Sequence, residues 1–345
     1  MVERMRRKTP YFLAYPRKIA ENYRLMCDAL PVDRLYYATK ANGEAITLSA
    51  LISEGAGFEL VCADEMEYLL SLGVRAEDII CSLPVKTKDE ISRMTALGCR
   101  YFVYDSERQY DQLCTLAPKA KKIVRLNMRF CSPHDLVYGM YPEEIADMAQ
   151  CGKLPDGYTF YIFERDHWTE KLDAVFDALE ALIAARGDTA PLILNLGGHY
   201  VLPCAETAEV FSRLRERAAR LRAMRKDLTV IAEPGGCLVN SAYDLVTTVT
   251  ETRRDGWVFT DTDANIIRDK NADIEPYDEI QKCAPQRLYF LDSLCSGNIV
   301  LDKIVDFAPQ PGDRLVIRNV GAYSVCFANS FHWTGKPQIF AEDGE

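Results

Sequence analysis

Lys40 stands at the end of an apolar, strand-like run, where a lysine can do chemistry. Residues 37–42 read YATKAN. Removing an amine from water lowers its pKa, and a neutral amine is a nucleophile that forms Schiff bases with carbonyl compounds. The alternative is a lysine whose stem lies along apolar surface while its ammonium reaches water.

Two glycine pairs follow later runs of the same kind. Gly197-Gly198 ends one run, and Glu233 stands just before Gly235-Gly236. Glycine loops let backbone N–H groups approach an anion closely, although each pair alone is also compatible with a plain tight turn. An imine-forming lysine, an acid that keeps a ring nitrogen protonated and glycine loops around one phosphate are together what pyridoxal phosphate requires.

Two further polar residues interrupt apolar runs. Arg125 lies within the run 123–126, and Tyr161 lies between Phe160 and Ile162. A charge inside an apolar run needs a partner or a ligand, so Arg125 is a candidate for binding. A structural ion pair is the alternative for this arginine.

The elements that must position these residues repeat one pattern. Short apolar runs alternate with amphipathic stretches whose apolar residues recur at helical spacing. Eight such runs predict a (β/α)8 barrel, in which reactive groups lie at the carboxyl ends of the strands; a doubly wound sheet is the alternative. The runs are residues 35–39, 57–61, 78–81, 101–104, 122–127, 158–163, 192–196 and 229–232.

The pattern changes after about residue 235. The runs there are short, β-rich and separated by turn signals, which predicts a second, all-β domain. We expect residues 16–240 to form the barrel, and residues 1–15 with 241–345 to form the β domain, with the strand-like run 11–15 pairing into it. The β-rich runs include 243–249, 256–260, 288–291, 314–317 and 323–327, and only 298–305 indicates a helix.

Composition excludes several classes of protein. The chain has 345 residues, 48% hydrophobic and 27% charged, with a net charge of −10 and no basic block longer than Arg6-Arg7-Lys8. We therefore expect a globular protein without nucleic-acid or membrane partners. The basic N-terminus lacks an apolar signal segment, and the 12 cysteines contain no CxxC pair, so we expect a cytoplasmic location, reduced thiols and no metal site.

Five motifs in order resemble those of the fold-type III pyridoxal-phosphate decarboxylases, the ornithine/diaminopimelate decarboxylase family. The resemblance covers residues 11 to about 340 and implies a barrel of alanine-racemase type with a second β domain. The motifs are YATKAN at 37–42, LGG at 196–198, IAEPG at 231–235, CSG at 295–297 and GAYS at 321–324.

The resemblance implies a role for each matching residue. Lys40 would form the imine with pyridoxal phosphate, and Glu233 would pair with the pyridine nitrogen. Cys295 would reach in from the partner subunit of a homodimer with shared active sites and protonate the carbanion after carbon dioxide leaves. Gly197, Gly198 and Gly235 would cradle the phosphate and Tyr323 would hydrogen-bond to it, with Gly236 as a further cofactor-binding candidate.

The chain departs from the family at four of these places. Tyr161 stands where the family has a histidine that stacks on the cofactor ring; a tyrosine can still stack there. His199 replaces the third glycine of the family's Gly-Gly-Gly, and Gly236 replaces an arginine near the phosphate. Ser296 replaces an aspartate that binds the distal ammonium of diamine substrates, which argues against ornithine or lysine because a neutral hydroxyl pairs poorly with a cation.

Arg268 completes the substrate-binding candidates, with Arg125 and Ser296. It lies in a segment similar to the one in which diaminopimelate decarboxylases place a substrate-binding arginine, so it would bind a carboxylate bidentately. A solvated loop arginine beside Asp269 is the alternative.

These features predict an amino-acid α-decarboxylase. The departures from the family at the substrate-binding positions favour a specialised substrate. It would be an amino acid that is not a diamine, or one linked to a carrier or conjugate, in a biosynthetic pathway such as secondary metabolism. Two alternatives stay open. One is an amino-acid racemase or epimerase on the same fold, with Tyr161 or Tyr323 as a second base, and the other is an inactive regulatory homologue.

Overall fold

The computed structural model describes residues 7–130, 137–292, 294–295, 297–328 and 335–342. Within them the chain separates into two compact units. We call the described residues of Tyr23–Thr39 and Leu51–Gly235 the barrel unit. The described residues of Met1–Asn22, Lys40–Ala50 and Gly236–Glu345 are the β unit.

The barrel unit contains a closed ring of eight parallel strands. Each strand pairs with the next, and the first closes on the last. The eight apolar runs correspond to these eight strands, with ends that differ by a few residues, so the predicted barrel is confirmed. The strands are β2 (Arg34–Ala38), β3 (Gly57–Leu60), β4 (Ile79–Cys81), β5 (Tyr101–Tyr104), β6 (Lys121–Arg125), β7 (Gly157–Thr159), β8 (Leu192–Asn195) and β9 (Leu228–Ala232).

Helices alternate with these strands along the chain. Their apolar residues recur at helical spacing; in the helix 168–185, one buried face carries Leu172, Val175, Phe176, Leu179 and Ile183. Among the described residues, no helix combines the length and hydropathy needed to cross a membrane. The helices are α1 (Pro16–Ala29), α2 (Ala45–Ser53), α3 (Ala63–Ser71), α4 (Lys88–Ala96), α5 (Glu107–Leu116), α6 (Pro142–Gln150), α7 (Trp168–Ala185) and α8 (Ala208–Met224).

Buried side chains from five of the barrel strands pack together. Each strand alternates its side chains between two faces, so a short apolar strand contributes one or two residues to such a cluster. This packing fixes the strand ends that carry the polar residues. The cluster comprises Tyr36, Ile80, Val103, Ile123 and Ile231.

The β unit is built around an eight-stranded sheet. The strands are β1 (Tyr11–Ala14), β10 (Tyr243–Thr252), β11 (Trp257–Thr260), β12 (Ile274–Pro276), β13 (Lys282–Asp292), β14 (Ile299–Phe307), β15 (Arg314–Ile317) and β16 (Gln338–Ala341), with two short helices, α9 (Gly236–Val239) and α10 (Ser324–Phe327). The main path of the sheet runs β12-β15-β10-β11-β13-β14, while β1 pairs antiparallel with β10 and parallel with β16. The run 11–15 therefore pairs into this sheet as predicted.

The helix expected at residues 298–305 is wrong. This segment is β14, paired antiparallel with β13. It is rich in β-branched residues, which favour extended backbone, and Val300, Val305 and Phe307 are buried while Asp302 and Asp306 are exposed. The antiparallel pairing with the long strand β13 therefore stabilises an extended rather than a helical conformation of this segment.

The strand expected at residues 323–327 is also wrong. Tyr323 has a φ of +63°, and Ser324–Phe327 forms the single turn of α10. A left-handed residue turns the chain out of the extended direction, so the apolar residues that follow cannot continue a strand.

Candidate active site

The carboxylate of Glu233 is held by two side chains of the barrel unit. Asn195, the last residue of β8, donates from Nδ2 to Oε1 of Glu233 at 2.7 Å. Ser82, which directly follows β4, donates its hydroxyl to the same oxygen. Hydrogen bonds to a carboxylate stabilise its ionised form. The carboxyl end of β9 therefore holds a carboxyl group in a fixed orientation that suits the protonated nitrogen of a ligand.

The orientation of Asn195 is determined by its surroundings. Its side chain is fully buried, and Oδ1 accepts the N–H of Gly197 at 2.9 Å. Because the oxygen faces that N–H, the amide nitrogen must face Glu233.

The first glycine pair is required by the backbone around it. Gly197 has a φ of +68°, and a Cβ there would lie 2.2 Å from the carbonyl oxygen of Phe160. A Cβ at Gly198 would lie 2.5 Å from the carbonyl oxygen of Glu233, whose own N–H donates to the carbonyl of Gly197 at 2.7 Å. The pair brings the loop after β8 against the end of β9. Its binding of phosphate, like that of the buried Gly235, stays a prediction.

Arg125, at the end of β6, lies against aromatic rings of the barrel unit. Its guanidinium carbon is 5.5 Å from the ring centre of Tyr161 and 5.3 Å from that of Tyr138. The ring of His199 is 5.7 Å from Tyr161 and stacks on Phe163 at 5.5 Å. Arg125 and these four aromatic side chains are therefore neighbours within the barrel unit. Cation–π and ring contacts of this kind fix the orientation of Tyr161 and Arg125.

Lys40 and its neighbour Ala41 contact the segment 323–326 within the β unit. Lys40 is exposed and lies in the one-turn helix Thr39–Ala41, which directly follows β2. The N–H of Tyr323 donates to the carbonyl of Ala41 at 2.8 Å, and the thiol of Cys326 lies 3.6 Å from the carbonyl of Lys40. The lysine is thus next to the segment that carries Tyr323.

Two further contacts join the motifs of the β unit. Asn42 donates from Nδ2 to the carbonyl of Gly321 at 3.1 Å, which ties YATKAN to GAYS. A Cβ at Gly236 would lie 3.3 Å from the Cβ of Ala322 and 3.7 Å from the ring of Tyr323. Gly236 therefore lies beside the segment 322–323 and leaves room next to the tyrosine ring.

Arg268 packs against the same segment. Its guanidinium carbon lies 4.6 Å from the ring centre of Phe327, the last residue of α10 and four residues after Tyr323. Stacking on an aromatic face leaves the N–H edge of a guanidinium oriented for a planar anion. The contact gives the exposed Arg268 a fixed place beside α10.

Cys295 and Ser296 are the remaining candidates. Cys295 follows β13, is exposed and has a φ of +58°. Within the described part of the chain, no hydrogen bond joins Cys295 to Lys40 or Tyr323. Ser296 lies outside the described residues, so its role stays a prediction.

The sequence reasoning missed Ser82 and Asn195. Both are polar residues at the carboxyl end of a barrel strand: Asn195 closes LILN, and Ser82 follows IIC. Considering every polar residue at a strand end, rather than only charged residues and glycines, would have found them.

The donor set fits pyridoxal phosphate. Glu233 offers a carboxylate for a protonated ring nitrogen, Lys40 offers an amine on an exposed turn, and Tyr323, whose ring lies near Gly236, offers a hydroxyl. Across the described ranges, no group of three or more His, Cys, Asp or Glu side chains is arranged to hold a metal ion.

Comparison with known proteins points to the same cofactor. Residues 16–137 match the family model described as pyridoxal-dependent decarboxylase, pyridoxal binding domain. The chain is 28% identical to lysine/ornithine decarboxylase of Selenomonas ruminantium over 97% of this chain and 90% of the relative. It is 26% identical to diaminopimelate decarboxylase of Pseudomonas aeruginosa over 98% of this chain and 88% of the relative.

A solved structure extends the likeness of fold to the whole chain. The arginine decarboxylase of Paramecium bursaria Chlorella virus superposes with a TM-score of 0.87 over 99% of this chain and 98% of that chain, at 18% identity. At this identity the match concerns fold alone. With the barrel, the β domain and the pyridoxal-binding model all in agreement, the chain belongs to the fold-type III pyridoxal-phosphate-dependent decarboxylases, a family of carboxy-lyases.

Proposed function

We propose that this chain is an α-decarboxylase of an amino acid whose distal end carries a carboxylate, either free or within a carrier-linked or conjugated substrate of a biosynthetic pathway. The observation that carries this choice is the stacking of Arg268 on Phe327, beside the segment that contacts the backbone of Lys40. A guanidinium attracts a distal carboxylate and repels a distal ammonium.

The residues for the cofactor follow from the donor set. Lys40 would attach the cofactor through Nζ, Glu233 would pair with the protonated pyridine nitrogen, and the Tyr323 hydroxyl with the glycine loops would bind the phosphate. When bound, pyridoxal phosphate supplies an electron sink for the bond between Cα and the departing carboxylate.

Three residues are assigned roles in binding or converting the substrate. Arg268 pairs with the distal carboxylate, Cys295 delivers a proton to Cα after carbon dioxide leaves, and Ser296 leaves the distal end without an anionic partner. Cys295 is exposed, and we propose, as the family resemblance implies, that it serves the active site of a partner subunit in a homodimer. A cytoplasmic location belongs to the same proposal.

The names of the relatives do not indicate which amino acid this chain acts on. One is a lysine/ornithine decarboxylase and another a diaminopimelate decarboxylase. Lysine and ornithine end in an ammonium, whereas diaminopimelate also carries a distal carboxylate. Our proposal for this chain rests on Arg268.

The test is carbon dioxide release from a panel of amino acids that differ only at the distal end. We expect turnover of carboxylate-ended substrates, and we expect Arg268→Met to raise their KM by about tenfold or more because a charge-assisted hydrogen bond is lost. Arg254→Met, another exposed arginine of the β unit, is the matched control. Preference for ornithine or lysine, with no effect of Arg268→Met, would contradict the substrate proposal.

The same assay, with one further measurement, distinguishes a decarboxylase from a racemase. Chiral analysis of the recovered substrate shows inversion at Cα if the chain is a racemase, and carbon dioxide release excludes pure racemisation. Absence of both reactions in a cofactor-loaded protein would favour the regulatory homologue.

A further inference from the structure

The loop after β4 is held by a buried lysine. Lys86 is only 4% exposed, yet its Nζ donates to the carbonyls of Leu83 at 2.7 Å and Pro84 at 3.2 Å, and to the carbonyl of Val103 in β5. Burial lowers the pKa of the Lys86 amine. Three carbonyl acceptors compensate for the loss of water around this ammonium and close the loop on itself.

A buried glutamine fixes the backbone of the same lysine. Gln109 in α5 accepts the N–H of Lys86 at 3.3 Å and donates to its carbonyl at 3.0 Å. With both the side chain and the peptide of Lys86 engaged, the loop from 82 to 86 has little freedom to move. These contacts explain why a short connection can present a side chain in a defined direction.

Ser82 is the residue that this loop presents. Its N–H donates to the carbonyl of Leu60 at 3.2 Å, so its backbone is fixed on the β3 side as well. Its hydroxyl reaches Oε1 of Glu233, the oxygen that also accepts from Asn195. Two donors on one oxygen define the plane of the carboxylate and lower its affinity for a proton.

We propose that Ser82 is a positioning residue for Glu233: through its hydroxyl it keeps this carboxylate ionised and aligned, and so keeps the proton on the ring nitrogen of the cofactor. The inference rests on the proposed pairing of Glu233 with that nitrogen. Without Ser82, the carboxylate is a stronger base, and the shared proton moves from the ring nitrogen toward Glu233.

The test is nitrogen NMR of the holoenzyme loaded with pyridoxal phosphate that carries an isotope label on the ring nitrogen. Wild type, Ser82→Ala, Ser82→Thr and Glu233→Gln are compared near neutral pH. We expect the Ser82→Ala signal between those of wild type and Glu233→Gln, and the Ser82→Thr signal close to wild type because it keeps the hydroxyl. We also expect kcat to fall about tenfold in Ser82→Ala with KM unchanged, the effect of one hydrogen bond to a charged group.

Controls separate this inference from the proposed function. Ser92→Ala removes an exposed hydroxyl that bonds the carbonyl of Lys88 in α4, and it should leave the nitrogen signal unchanged. A Ser82→Ala signal that coincides with wild type, while Glu233→Gln differs, would overturn the role of Ser82 alone. A Glu233→Gln signal that coincides with wild type would overturn the pairing of Glu233 itself.

Discussion

At the scale of single residues, three side chains discussed for the site have a left-handed backbone, as do Arg129, His167, Asp255 and Asn319 elsewhere in the described residues. His199, Cys295 and Tyr323 have φ values of +67°, +58° and +63°. A non-glycine residue in this region costs on the order of 1–3 kcal/mol and persists only where its surroundings impose it. At Tyr323 the bond from its N–H to the carbonyl of Ala41 imposes it, and at His199 ring stacking on Phe163 contributes. At Tyr323 and His199, contacts with neighbouring residues therefore stabilise the left-handed conformation.

The strain at His199 gives a stability prediction. His199→Gly should have a free energy of unfolding about 1 kcal/mol higher than that of His199→Ala, because only glycine adopts a left-handed φ without cost. Both variants lose the ring, so their difference isolates the backbone. Urea unfolding of the two variants measures it, and an alanine variant as stable as the glycine variant would mean that the left-handed φ is not imposed.

The candidate site residues were only partly predictable from the sequence. Lys40 and Glu233 were identified as candidates because they lie at the ends of strand-like runs and in motifs that resemble those of the family. The hydrogen bonds from Ser82 and Asn195 were not, because they depend on which strand ends become neighbours when the barrel closes. Contacts between residues that are 151 positions apart leave no local signal.

At the scale of elements, the barrel strands and most strands of the second, β-rich unit were predictable, and two segments of that unit were not. A strand buried on both faces is an uninterrupted apolar run, and such runs stand out in any sequence. The segments 298–305 and 323–327 carry mixed patterns, and their conformation depends on pairing with β13 and on one left-handed residue.

The hydrogen bonds of the buried Lys86 side chain to the loop after β4 give a prediction about stability. Lys86→Met should lower the free energy of unfolding by about 1–3 kcal/mol, because three buried carbonyls lose their donor. Lys88→Met, at an exposed position of α4, is the matched control and should have little effect.

The stability difference between wild type and Lys86→Met should also depend on pH. Burial lowers the pKa of Lys86 from its ordinary value of 10.5, so between the lowered pKa and 10.5 the unfolded chain binds more protons than the folded chain. The stability of wild type relative to Lys86→Met should therefore rise with pH through this window. Urea unfolding over a pH series measures the difference, and a constant difference up to 10.5 would show that the amine titrates normally in the folded state.

At the scale of the whole molecule, the proposed homodimer predicts complementation. Lys40→Ala and Cys295→Ala proteins should each be nearly inactive, whereas a mixture that exchanges subunits should regain about a quarter of wild-type activity, because each mixed dimer contains one intact site. The assay is carbon dioxide release before and after mixing. If activity does not return although mixed dimers form, Cys295 acts within its own subunit or not at all.

The central claim is that Lys40 attaches pyridoxal phosphate covalently. The most direct measurement is borohydride reduction of the purified holoenzyme, followed by visible absorbance and mass analysis of its peptides, with Lys40→Ala alongside. We predict a yellow protein whose visible band disappears on reduction, with the mass of the cofactor on the peptide that contains Lys40 and no such adduct in the variant. A protein that cannot be loaded with the cofactor, or an adduct on a different lysine, would contradict the account.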